Sequence, residues 1–305
     1  MAIEPKLAQA LQARVSGVLK AAPVFHIVQR PLETLEQEAL ELGRRFSSTF
    51  GEAGTRAQVR RGTQSTVAMF PHGITVKLFH ASGAVIARRA LEPAAHLFKQ
   101  PPAKDTLVSR ALDALGRVGV GETAAAGERL DFERLWQIKA AGRRSDGQQG
   151  YEVLCRAVGT FRRFVHDLPV LGRASVFVKL AADNVIEAVG RDWRPCEERA
   201  FDEAPVIDPA EAASRVAAEL ALASGNSHVS AEHYEPEFFG LGYLSFPKRR
   251  VQSVLQPVYV AVLRARGWTT LGRIVVVPAS DRAYEPIARQ LQAPPRAVTA
   301  KPAAR

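Results

Sequence analysis

The alternation of apolar and polar residues near position 75 restricts the fold of this chain more than any other feature. In the segment from Ile74 to His80, the apolar Ile74, Val76 and Leu78 alternate with Thr75 and Lys77. A period of two is typical of a strand with one buried and one exposed face. A Pro-His-Gly turn precedes this segment, a Ser-Gly turn follows it, and β-branched residues are frequent between residues 57 and 69. The sequence therefore predicts a three-stranded antiparallel meander over about 57–86.

Segments of helical periodicity separate the predicted strands. One helix follows Pro31, which suits a first helical position because its missing N–H would be unpaired there. A second helix begins near Asp105, whose carboxylate can cap the first turn. A third begins at Asp208-Pro209, with Glu211 three residues after the cap as in a capping box. Each helix directly precedes or follows strand-like segments, which favours a mixed fold.

The N-terminal segment is amphipathic. Within the first 22 residues, apolar side chains recur at helical spacing with charged residues between them, whereas a secretory signal needs a continuous apolar stretch. The segment predicts a helix that docks on its own domain or on a partner. No run of 18 apolar residues occurs, so the sequence predicts no membrane span. Two cysteines, Cys155 and Cys196, have no metal-ligand spacing and predict free thiols in the cytoplasm.

Charge is unevenly distributed along the chain. The formal net charge is +10, but residues 182–240 carry thirteen acidic and four basic side chains, whereas residues 248–305 carry eleven basic and two acidic ones. Such segregation suits docking to a partner of complementary charge. The basic segments also suit nucleic acid, although the acidic segment then has no explanation.

Catalytic motifs are absent from the sequence. The seven histidines form no metal-ligand spacing, and no nucleophile elbow or phosphate loop occurs. The glycines at 116, 119 and 121 follow a helix instead of a strand, which is the wrong order for a dinucleotide site and indicates a helix end. The sequence thus predicts no catalytic residue, no metal and no cofactor, and it leaves an enzyme of unfamiliar type as a minor alternative.

Arginine doublets, a basic triplet and the tryptophans supply the candidate partner-binding residues. On a strand, a doublet points to both faces, so one residue of each pair can join a given surface. Tryptophans at strand ends can anchor an interface. The alternative is that the arginines are solvated or lie on apolar neighbours and that the tryptophans serve packing. The candidates are Arg60, Arg162, Trp193, Lys248, Arg249 and Arg250.

The second half of the chain resembles a known family. The run Phe164–Gly172 and the strand-like segments at 174–180 and 185–190 resemble the Gly-Leu-Pro-Val-x-Gly hairpin of thermolysin- and fungalysin-type propeptides, which are PepSY-like modules. Asp167 stands where the family has glycine, so the turn can be of another type. The segments 255–262 and 273–279 resemble the closing hairpin of these modules, and the helix at 209–223 has the family's position. In that family the module chaperones and inhibits an attached metalloprotease; this sequence contains no protease domain, so the implied role would act in trans.

The expected fold class is α+β: antiparallel sheets each covered by a helix, in two PepSY-like or propeptide-like units in tandem. The expected segments are an N-terminal helix (1–28), an N-terminal unit (29–150), a PepSY-like unit (151–280) and a basic disordered tail (281–305). The expected function is non-catalytic protein binding, as a scaffold, chaperone or inhibitor; the alternative is a basic nucleic-acid-associated protein. A homo-oligomer is left open. The long strand at 151–166 is the expected site of strand addition.

Overall fold

A computed structural model of the chain describes residues 5–15, 19–52, 56–92, 94–120, 127–143, 148–172, 175–224, 234–266, 272–282 and 284–287. In this part of the chain the helices are α1 (Pro5–Gln12), α2 (Leu32–Ser48), α3 (Lys104–Val118) and α4 (Pro209–Ser224). The strands are β1 (Ala21–His26), β2 (Gln58–Arg61), β3 (Ser65–Met69), β4 (Ile74–Phe79), β5 (Val85–Arg89), β6 (Glu128–Arg143), β7 (Gln149–Val165), β8 (Leu168–Leu171), β9 (Val176–Leu180), β10 (Ile186–Arg191), β11 (Asp202–Pro205), β12 (Tyr234–Leu244), β13 (Val254–Leu255), β14 (Pro257–Ala265) and β15 (Gly272–Pro278).

The chain divides into two compact units, and neither is continuous in sequence. The sheet unit comprises Phe25–Ala200 and Tyr243–Leu255. The terminal unit comprises Met1–Val24, Phe201–Gly242 and Gln256–Arg305.

The sheet unit contains a broad antiparallel sheet. Its strands follow the order β6-β7-β9-β10-β5-β4-β3-β2. After a two-residue turn at His166 and Asp167, β8 pairs back on the end of β7. Both turn residues have positive φ, 45° and 66°, as a type I′ hairpin requires. A type I′ turn accepts aspartate or asparagine, so Asp167 fits this turn without a glycine.

The predicted fold class, an α+β pair of PepSY-like units in tandem, is wrong. The described chain is mostly strand, and one sheet joins segments that the sequence assigned to separate units. β5 pairs with β10 from Val85↔Arg191 to Arg88↔Ala188, and β6 and β7 form one long hairpin across position 150. Periodicity identifies a strand and its buried face, but it does not identify the strand's hydrogen-bonding neighbour, because that choice depends on distant segments.

The helices α2 and α3 cover one face of this sheet. Phe46 of α2 and Ala111 of α3 are buried with inward-facing strand residues such as Val76, Phe161 and Val178 in one apolar core. α3 lies so close to β7 that a Cβ at Gly159 would be 2.9 Å from the Ala111 methyl group. The alternation predicted for residues 74–80 is confirmed. The meander has four strands instead of three, because residues 57–69 bend into β2 and β3.

The terminal unit has its own core. Leu7 and Leu11 of α1 are fully buried with Val216 and Leu220 of α4, and the β14–β15 hairpin packs in the same cluster. The N-terminal helix thus docks within its own unit, although it is shorter than expected. The predicted cap of α4 is confirmed, since the Ala210 N–H donates to Asp208 Oδ1 at 2.7 Å. Most of the tail predicted from 281 onwards lies outside the described residues.

Candidate functional site on the open sheet face

The face of the sheet opposite α2 and α3, here called the open face, is lined by side chains from all eight strands. Residues directly opposite each other on paired strands point to the same face. The strand registers place eight residues in one row across the sheet: Arg134, Thr160, Phe177, Gly190, Ile86, Lys77, Val67 and Arg60. At a strand spacing of about 4.8 Å, this row is about 34 Å long.

An apolar groove lies near the β6 end of the open face. Its walls are Trp136, Ile138, Val158, Phe177 and Ile86, and its volume is about 400 Å³. Trp136 is 53% exposed and Ile138 is 44% exposed, which is unusual for large apolar side chains in a regular sheet.

The shape of the groove depends on a glycine in β10. The Phe177 ring lies over Gly190, where a Cβ would be 2.2 Å from the ring. The glycine therefore lets the phenylalanine lie flat against the sheet, so that the groove remains open above it.

Basic side chains lie at both ends of the groove and continue along the row, while one acidic residue, Asp192, is also part of the groove lining. The Arg134 guanidinium lies 4.9 Å from the centroid of the Trp136 ring system, and Lys248 lines the other end of the groove with its Nζ 4.8 Å from the Phe79 ring centroid. Within the described residues, four cations of this face have no carboxylate within salt-bridge distance. These four are Arg60, Lys77, Arg88 and Arg134. The open face is therefore electropositive as well as partly apolar.

One acidic residue of this face is already neutralised. Glu187 bonds Arg156, and its Oε1 accepts from Lys179 Nζ at 2.5 Å. Burial acts to raise the pKa of Glu187, but the hydrogen bonds from Lys179 and Arg156 outweigh it and hold the pKa below its ordinary value. Glu187 is thus a carboxylate paired with two cations, and it does not take up a proton near neutral pH.

The sequence-predicted site residues do not form a single site. Arg60 ends the row on β2, whereas Lys248 lines the groove with its Nζ over the Phe79 ring of β4. Arg162 is engaged internally, since its Nη1 donates to the Val170 carbonyl at 2.8 Å and its Nη2 pairs with Glu133. Arg249 is exposed outside the groove, and the Arg250 guanidinium lies 5.6 Å from the Phe246 ring centroid.

Trp193 is not an exposed interface anchor, because it is 9% exposed and packs under Arg163. Arg163 forms a buried ion pair with Glu128 and donates to the Cys196 sulfur at 3.0 Å. Burial raises the pKa of the Cys196 thiol to about 11, with Arg163 opposing this effect and Glu128 adding to it. The cluster is a hydrogen-bonded internal ion pair beside a buried thiol, and it holds Trp193 away from the surface.

Sequence reasoning missed the residues that line the groove. Trp136 was assigned to packing, and neither Phe177 nor Ile138 had a predicted role. A signal existed in the pattern of β6, where Trp136 and Ile138 share one strand face while Leu135 lies on the other face and packs against the core. Whether a strand face is covered depends on where the helices dock, and periodicity alone cannot show that.

Comparisons with known proteins give information about the fold but not about the function. No known family profile matches the chain, and no curated protein matches its sequence. Nine chains of solved structures match, among them an uncharacterized protein from Eubacterium rectale with a TM-score of 0.51 and 9% identity, covering 88% of this chain and 86% of that one. At this identity the likeness concerns the fold alone, and it gives no support to the PepSY-like resemblance.

Two further properties bear on function. Among the described residues, no cluster of three or more His, Cys, Asp or Glu side chains is placed to hold a metal ion. None of the helices in this part of the chain is both long and apolar enough to cross a membrane.

Proposed function

We propose that this protein is a non-catalytic binding protein that holds a segment of a partner protein on its open face, as a scaffold, chaperone or inhibitor. The observation that supports this most is the exposure of Trp136 and Ile138 beside an apolar groove on the open face. Exposed apolar clusters rimmed by polar residues mark interaction sites. Tryptophan and arginine are also the residues that contribute most to binding energy at protein interfaces.

The charges of the face define the partner segment. Arg134 and Lys248 stand at the rim of the groove, and the cations farther along the row have no carboxylate partner among the described residues. An acidic segment with an apolar side chain for the groove complements both properties, because acidic groups at the rim accelerate and orient the encounter. We place the protein in the cytoplasm, since both cysteines are free thiols in the described structure.

Site-specific photocrosslinking in the native host tests this function. A photoreactive phenylalanine analogue at position 136 should capture a protein, and the same analogue at the exposed Leu112 of α3 should not. Combining the analogue with R134E and K248E should reduce capture, because both changes reverse the charge of the rim. Equal capture at positions 136 and 112, or no protein adduct at 136, would contradict the proposal.

A second candidate is single-stranded nucleic acid, and the row of cations that ends near Trp136 favours it. Such ligands combine a basic track with aromatic stacking. Oligothymidylate should then quench Trp136 fluorescence, with log K falling against log salt by about 0.7 per phosphate contacted. The absence of quenching at low salt, with an intact protein adduct in the crosslinking experiment, would eliminate this candidate.

A further inference from the structure

The two outer strands of the sheet in the sheet unit, β2 and β6, have different edges. β6 pairs with β7 among the described strands, and its register shifts at three places: between Phe132 and Arg134, between Ile138 and Lys139, and between Ala141 and Arg143. Such bulges interrupt an edge and discourage the addition of another strand. β2 is short and regular, and it pairs with β3 without any shift from Gln58↔Met69 to Arg61↔Thr66.

The edge of β2 presents a defined set of peptide groups. The Gly62 N–H donates to the Ser65 carbonyl at 2.9 Å, which makes this a hydrogen-bonded pair of the hairpin. Hydrogen-bonded and non-hydrogen-bonded pairs alternate along an antiparallel ladder. Arg60 therefore bonds toward β3, whereas the peptide groups of Val59 and Arg61 point away from it. No backbone partner of these outward groups occurs among the described residues.

An apolar groove runs beside this edge on the helix-covered face. It lies between α2 and the sheet, has a volume of about 280 Å³, and includes Ala39, Leu40, Val59 and the buried floor residue Ala68. Val59 is 45% exposed. This volume is slightly below the lower end of the range of about 300–1,000 Å³ typical of small-molecule sites, so it suits an inserted side chain better than a separate ligand.

The charges of the edge select among occupants. Arg61 is bound to the buried Glu36, with its Nε 2.9 Å from Glu36 Oε1. Arg56 and Arg60 are exposed and have no carboxylate partner within the described ranges. A second copy of β2 would bring Arg60 and Arg61 of both strands close together along one short edge, where like charges repel. An acidic strand would complement them.

We propose that β2 accepts an extended acidic segment of a partner protein as an additional strand, with one of its apolar side chains inserted between α2 and Val59. The segment would alternate, placing apolar residues toward the groove and acidic residues beside Arg60. This surface is separate from the groove at Trp136, and the inference does not rest on the function proposed above. It also differs from the strand addition predicted at 151–166, because β7 pairs with β6 on one edge, and on the other edge with β9 at Ala157–Phe161 and with β8 at Phe164 and Val165.

The test uses a fluorescein-labelled octapeptide with leucine or valine at every second position and glutamate between, measured by fluorescence anisotropy. Wild-type protein should bind it, and V59P should weaken binding by about tenfold or more because proline removes an outward N–H that the added strand needs. V59T is the matched control, since it keeps the N–H and the branched side chain, and it should bind like wild type. L40Q, which changes the groove without touching β2, should also weaken binding and carries the test if V59P does not fold.

Backbone methylation of the peptide gives an independent readout. An added strand forms its backbone hydrogen bonds through alternate residues, so N-methylation of one alternate set should abolish binding and methylation of the other set should not.

The inference is overturned if the two sets behave alike, if the wild type shows no saturable binding up to about 1 mM peptide, or if V59P binds as well as V59T. Self-association of the wild type that V59P removes would identify a second copy as the occupant and would equally overturn it. The same comparison is repeated with W136A added to each variant, which removes peptide held at the groove on the open face. The difference between V59P and V59T should persist, and its loss in that background would assign the peptide to the groove and overturn the inference.

Discussion

The two faces of the sheet in the sheet unit are built from the same strands but have different properties. On the covered face, Phe161 and Val178 are fully buried against α2 and α3. On the open face, Trp136 and Phe177 lie among cations and remain accessible at the groove. Because successive residues of a strand point to opposite faces, neighbours in sequence have opposite roles. Both faces thus carry large apolar side chains. The docking of α2 and α3 decides which of these side chains stabilise the fold and which remain accessible for binding.

The largest expected effect contrasts one aromatic residue from each face. F161A removes a fully buried ring and should lower the free energy of unfolding by about 3–5 kcal/mol. W136A removes a half-exposed side chain and should lower it by about 1 kcal/mol or less, while reducing partner capture. Urea unfolding followed by circular dichroism measures both. Similar losses of stability for the two variants would remove the distinction between the faces.

A smaller effect concerns how tightly α2 packs on the covered face. A Cβ at Gly43 would lie 2.4 Å from the Phe70 ring and 2.9 Å from Val76, so G43A should destabilise the protein by about 1–3 kcal/mol. Gly116 of α3 has no atom within 4 Å of its added Cβ, and G116A should stabilise by about 0.4–1 kcal/mol through the unfolded state. Thermal melts of the two variants should shift in opposite directions. A shift of both in the same direction would contradict the packing described for α2.

The smallest expected effect depends on pH and lies at the rim of the covered face, where the carboxylate of Glu36 is buried. The hydrogen bond from Arg61 is the main cause that lowers the pKa of Glu36, and Thr66 also contributes by donating to it at 2.7 Å, against the opposing effect of burial. Because folding lowers the pKa of Glu36, its ionised carboxylate stabilises the native state at pH values above the ordinary glutamate pKa of about 4.3. This contribution is lost as the pH falls through the lowered pKa.

The variant E36Q tests this linkage. Because its amide carries no charge for Arg61 to stabilise, E36Q should be less stable than wild type at pH 7. This difference in the free energy of unfolding should shrink below about pH 4. Urea midpoints between pH 3 and pH 7 measure this difference. T66V should also be less stable than wild type at pH 7, but by a smaller amount, since the ion pair between Arg61 and Glu36 remains. A difference that is constant with pH would show that the ion pair has no role in the linkage.

Local signals in the sequence identified many elements correctly. The Asp208 cap of α4 and the helix end at Gly119, with φ of 68°, occur as predicted. Each depends on interactions within one or two turns of the chain, so the residues that determine it are neighbours in sequence. The helix expected near Asp105 is present, but the predicted cap is wrong: α3 begins at Lys104, its N-cap is Ala103 without a side-chain hydrogen bond, and Asp105 lies in the first turn.

The site was less accessible to sequence reasoning. Of the six predicted partner-binding residues, Arg60 and Lys248 lie on the open face at separate positions, while Trp193 is buried. Arginine doublets mark where positive charge occurs, but Arg162 and Arg163 are bound to Glu133 and Glu128 from β6. Those partners are about thirty residues away in sequence, and only the pairing of β6 with β7 brings them together.

The sequence by itself determined the alternation near residue 75, the cap of α4, the end of α3 and the segregation of its charges, because these follow from residues close together in the chain. Tertiary structure alone decided that β5 pairs with β10, that α2 and α3 share one face, and that Trp136 remains exposed on the other. The physical reason is that a strand's alternation specifies two faces and two edges without specifying their neighbours. Those neighbours are chosen by burial and hydrogen bonding summed over the whole unit.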